Sequence, residues 1–212
     1  MTRAPLGIIL FALILAAAAT GFDREAGASL RAGKFFGASV SASVYEEPAG
    51  FEWIYFEPRY SLSLTAGMRE YTDGFGWYKN ALFTAGAGRL GFAGGIAELG
   101  IAAGYHLSAL EGGYSFSDFV FGIRLCGNLT PAAKRRYLVY DAYFLSGPNF
   151  EVAGGEIRAF PLENIYLGGG IIYDGELDAW GEPLPFQDDE SWPDRWESGV
   201  NYYISAGVAL EL

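Results

Sequence analysis

His106 is the only histidine of the chain, and Ser108 follows it at the spacing that puts both side chains on one face of an extended strand. An imidazole beside a hydroxyl can take its proton and turn it into a nucleophile toward an ester. A carboxylate would have to orient the ring, and Glu111 and Asp118 are the nearest in sequence. Tyr105 and Leu107 form the apolar face of this segment, so His106 and Ser108 are expected to point inward. A lone histidine near a strand end is more often an ordinary interior or interfacial residue. No catalytic residue is therefore assigned, and the chain is expected not to be an enzyme.

A second group of chemically capable residues is Arg31, Glu57, Arg59, Glu98, Arg124, Asp141, Glu156 and Arg158, four positive and four negative. Each lies opposite the apolar phase of an alternating segment. Inside a narrow barrel such charges should pair, because an unpaired charge in a confined interior is costly. The outcome is either a salt-bridge network that closes the lumen or the lining of a narrow small-solute channel. A third group sits in segment 174–198, where Asp174, Glu176, Asp178, Glu182, Asp188, Asp189, Glu190, Asp194 and Glu197 face only Arg195. Asp188, Asp189 and Glu190 offer oxygen ligands to a divalent cation, without the spaced pattern of a calcium loop. Trp180, Trp192 and Trp196 offer amphipathic surfaces to an extracellular ligand or to the membrane interface. No resident metal or other cofactor is expected. Phosphate loops, zinc spacings, nucleophile elbows and dinucleotide fingerprints do not occur in the sequence.

The elements that must position these residues read as strands. In 198–212, Val200, Tyr202, Ile204, Ala206, Val208, Leu210 and Leu212 alternate with Asn201, Tyr203, Ser205, Gly207, Ala209 and Glu211. The same period of two runs through 28–45, 54–66, 75–88, 95–108, 116–127 and 135–146, and more weakly through 149–160 and 164–175. Turns are expected at 46–50, 90–95, 147–149 and 161–164, where Gly, Pro or Asn breaks the pattern. At the N-terminus, Arg3, the apolar run Leu6–Leu15 and the small residues Ala16–Ala19 form an export signal, too short to span a bilayer as a helix. Cleavage is expected near Ala19 or a few residues later. About 190 residues then remain for one domain.

Composition agrees. Aromatic residues make up 17% of the chain and charged residues only 18%, with 30 glycines and one cysteine. Cys126 has no intramolecular disulfide partner, so an exported chain of this kind must be held by backbone pairing, which a closed barrel supplies. The formal net charge of −11 excludes nucleic acid as a partner. The one basic run, Lys134–Arg136, suits anionic lipid head groups.

An export signal followed by recurrent two-residue alternation predicts an all-β, up-and-down antiparallel transmembrane barrel spanning 28–212 in the outer membrane. The nine segments leave the strand number at eight, with ten as the alternative, since single-chain bacterial barrels have even counts. Segment 174–198 is expected to be the extracellular loop, because long loops face outward and the last strand must descend from it. The signal, the alternating segments and the apolar-ended final strand together resemble the small outer-membrane barrels that include the outer-membrane protein A, X and W types. Leu212 stands where that group typically ends in an aromatic residue. The resemblance implies a non-enzymatic envelope protein whose partners are outer-membrane lipid and the barrel-assembly machinery. The His-x-Ser pair is separately similar to that of the outer-membrane lipid A deacylases, which would imply a lipid-modifying esterase. In that family, however, the pair faces lipid.

Overall fold

The computed structural model describes residues 23–51, 53–70, 77–110, 115–130, 137–148, 150–176 and 199–211. Within them lie β1 (Asp23–Gly33), β2 (Phe35–Tyr45), β3 (Ala49–Phe51), β4 (Ile54–Glu70), β5 (Trp77–Phe92) and β6 (Ala97–Leu110). They are followed by β7 (Ser115–Asn128), β8 (Leu138–Ser146), β9 (Phe150–Ala159), β10 (Ile165–Glu176) and β11 (Gly199–Glu211). Each strand pairs antiparallel with its neighbour, β1 pairs with β11, and β2 pairs with β4. That last pairing closes a barrel of ten strands, with three-residue β3 laid on β4 beyond the end of β2.

Ten strands, not the favoured eight, follow from one overlooked hairpin. Segment 28–45 reads as a single strand, but the chain reverses between Arg31 and Gly37, which face each other across β1 and β2. The reversal leaves even-numbered residues outward on both sides of the turn, with Leu30 and Phe36 both exposed. Alternation therefore passes through the bend without a break.

The apolar phase points outward all round. Leu30, Phe36, Ile101, Phe119, Phe121, Tyr202 and Ile204 are each at least 60% exposed. The polar phase points inward, where Ser29, Arg31, Glu57, Arg59, Glu156, Asn201 and Ser205 are buried. A water-soluble barrel is built the other way, with its apolar faces around the interior.

The interior has two halves. Toward the end opposite the termini, Leu82, Val120, Leu145 and Val152 pack together, as do Phe35, Ile172 and Tyr203. Side chains of seven strands, Phe35, Thr65, Leu82, His106, Tyr143, Val152 and Ile172, converge there on a void of about 20 Å³. Such a void holds a single water at most. Among the described residues, the side chains at this level leave little space between them. Toward the termini the interior is charged and opens into a cavity of about 320 Å³ that reaches the turn at Gly94 and Gly95.

Candidate functional site in the barrel interior

The charged half is built by strands whose inward phase carries an Arg or an acid, set at adjoining heights by the register. Asp141 of β8 stands opposite Cys126 of β7 and Glu156 of β9. Arg124 grips Asp141 with both Nε, at 2.7 Å, and Nη2, the bidentate geometry that a planar guanidinium favours. Arg158 Nη2 lies 3.6 Å from Asp141 and 3.2 Å from Glu156. Glu156 in turn accepts from Arg31 Nη2 at 3.2 Å, from the Ser205 hydroxyl at 2.6 Å and from the Tyr203 hydroxyl at 3.4 Å. Arg31 also stacks 4.7 Å from the centre of the Tyr203 ring. One chain of charges thus crosses β1, β9, β8 and β7.

A second cluster centres on Arg59. Its Nε donates to Glu57 at 2.6 Å, and Nη1 donates to Glu25 at 2.9 Å and to Ser43 at 3.0 Å. The guanidinium lies 4.1 Å from the centre of the Tyr45 ring. In the third cluster, Arg89 Nη1 donates to Glu98 Oε2 at 2.8 Å, while the Tyr55 hydroxyl donates to Oε1 at 2.8 Å. The Cys126 thiol donates more weakly to Oε2, at 3.6 Å.

All eight charged residues expected in the interior are there, and each makes an ion pair. Sequence reasoning missed two more, Glu25 and Arg89. Glu25 precedes the point where alternation becomes visible. Arg89 is hidden by a bulge: the outward residues of β5 run Phe83, Ala85, Ala87 and then Leu90, Phe92, because the register shifts between Ala87 and Leu90. Gly88, at φ +70°, takes up the extra residue. The turn expected at 90–95 consequently begins later, at Ala93. A close approach follows on the same strand, where the Tyr55 ring covers Gly91 so tightly that a Cβ there would lie 2.0 Å from a ring carbon.

His106 and Ser108 point inward and are buried, at 2% and 1% exposure. The register sets Asp118 opposite His106 on β7. The pair thus lies beside the apolar layer, away from the outer surface where a membrane ester would be. Glu111 falls outside the described residues, as do Lys134–Arg136, the export signal and Trp180, Asp188, Asp189, Glu190, Trp192 and Trp196. Among the described residues no group of three or more His, Cys, Asp or Glu is placed to hold a metal.

No family model and no curated protein matches the sequence. A solved chain from a study of the in-meso crystallization of membrane proteins is similar over 90% of this chain and 84% of its own length. Its identity is 12% and its TM-score 0.36.

Proposed function

We propose that the chain is a non-enzymatic outer-membrane barrel that anchors and presents the acidic, tryptophan-rich segment 174–198 at the cell surface, around a lumen that does not conduct. The observation that carries this is the inside-out distribution of polarity: a closed barrel with charges within and large apolar side chains on its whole outer face. Hydrocarbon is the environment in which that arrangement is stable, because every barrel strand pairs with a neighbour on each side. The export signal at the N-terminus supplies the route to such a membrane.

Between the two branches of the functional expectation, the filled apolar layer favours structural support over solute passage. The ion pairs beneath it then stabilise the barrel rather than select ions. Strands β10 and β11 join at the end opposite Asp23 and Glu211. With the termini in the periplasm, the joining segment faces outward, and its carboxylates and indoles contact an extracellular ligand or divalent cation. Outer-membrane lipid and the assembly machinery that receives the final strand are the other partners.

Cell fractionation with protease shaving tests this. The mature protein is expected in the outer membrane with heat-modifiable gel mobility, and protease added to intact cells is expected to cut within 177–198. A detergent-free periplasmic species, or cleavage only after the outer membrane is permeabilised, would overturn the reading.

A further inference from the structure

The cavity at the terminal end has a hydrogen-bonding imbalance that its formal charge conceals. Arg59, Arg89, Arg124 and Arg158 line it together with Glu25, Glu57, Glu98 and Asp141, so the charges balance. Each of the four carboxylates, however, already accepts from a side chain of the wall. Arg124 takes both oxygens of Asp141, and Tyr55, Arg89 and Cys126 take those of Glu98. The donors are not all engaged. A guanidinium carries five N–H groups. Arg89 uses only Nη1, Arg124 uses Nε and Nη2, and Arg158 uses Nη2, while its Nε is buried without a partner.

These three side chains keep 19–27% of their surface exposed. Arg89 and Arg124 also line one small recess beside Cys126. The cavity at the terminal end, about 320 Å³, lies at the lower end of the range for small-molecule pockets. Its lining reaches Gly94, Gly95 and Asn128 at the end that carries the termini. A neutral, donor-rich pocket of this size complements a group that only accepts. Planar guanidinium forks bind carboxylate and phosphate oxygens with the best geometry.

We propose that this pocket binds a small solute bearing a carboxylate or a phosphate, entering from the end of the barrel where the termini lie. The proposal stands on the interior geometry alone and does not depend on where segment 174–198 faces. It is tested on the mature chain refolded in zwitterionic micelles, with succinate and inorganic phosphate as separate probes against chloride at equal ionic strength. Binding is read by calorimetry and by the arginine Nε–H resonances.

Saturable binding of at least one probe is expected, and the stronger probe identifies the oxyanion. Arg89→Lys or Arg124→Lys, which keep the charge and remove the fork, should weaken binding about tenfold, the loss expected for one charge-assisted hydrogen bond. Lys34→Ala, on the outside near the opposite end, should leave it unchanged. Failure of both probes to saturate beyond chloride would overturn the proposal. Unchanged affinity in both lysine variants would do so as well. If neither variant shows folded gel mobility, the wild-type titration and its arginine resonances decide alone.

Discussion

Replacing Glu156 by Gln should be among the most damaging single changes of one atom type in this barrel. Glu156 is 4% exposed and its partner Arg31 7%, so little water can replace the lost charge. Arg31 has no other carboxylate partner among the described residues, whereas Arg158 keeps Asp141 at 3.6 Å. Removing one member of a buried pair costs about 3–5 kcal/mol, because the remaining ion stays desolvated. Glu98 provides the internal control. It and Arg89 are 17% and 19% exposed beside the open cavity. Water can therefore re-solvate Arg89 in Glu98→Gln, and a cost nearer about 1 kcal/mol is expected, closer to that of a partly exposed pair. The assay is urea unfolding of the refolded protein in lipid vesicles, followed by tryptophan fluorescence and by gel mobility. A gap of about 2 kcal/mol or more between the variants is predicted. Equal costs, or wild-type stability for Glu156→Gln, would refute the claim that the Arg31–Glu156 pair is sealed from water.

Other expectations follow from the same geometry. Ile204→Arg places a charge midway along the outer face of β11 at a residue 71% exposed, and in a membrane it should cost about 2–4 kcal/mol or block insertion. In a water-soluble barrel the same change would be tolerated, which refolding yields will distinguish. Leu145→Ala removes a fully buried member of the apolar layer and should cost about 2–5 kcal/mol in the same urea titration. Gly91→Ala should push the Tyr55 ring aside and break its hydrogen bond to Glu98, read as a changed tyrosine hydroxyl signal with lowered stability. Ser108→Ala should leave the acyl composition of envelope lipid identical to wild type, since the hydroxyl is buried inside the barrel. Deacylation present in the wild type and absent in the variant would restore the esterase reading.

The faces of the strands were legible in the sequence because a barrel imposes strict alternation. Val200, Tyr202, Ile204, Val208 and Leu210 point outward on β11 and Asn201, Tyr203 and Ser205 inward, as the pattern alone predicts. The interior charges were legible for the same reason: Arg31, Glu57 and Glu156 each interrupt an otherwise small or polar phase. What the pattern hides are events that leave it unchanged or reset it. The hairpin between Arg31 and Gly37 preserves parity, so two strands read as one and the count fell short. The bulge at Gly88 reverses parity, so Arg89, which falls between segment 75–88 and the turn expected at 90–95, went unassigned although it reaches into the lumen. Closure of the lumen was not legible either. Leu82, Val120, Leu145 and Val152 belong to four different strands, and only the three-dimensional register brings them to one level.

Planar-bilayer recording of the purified wild-type protein, with insertion verified by protease access to reconstituted vesicles, tests the central claim most directly. The void of about 20 Å³ between Phe35, Leu82, His106, Tyr143, Val152 and Ile172 predicts an inserted barrel with no steady conductance. Stable, ohmic channel openings from the wild-type protein would contradict it.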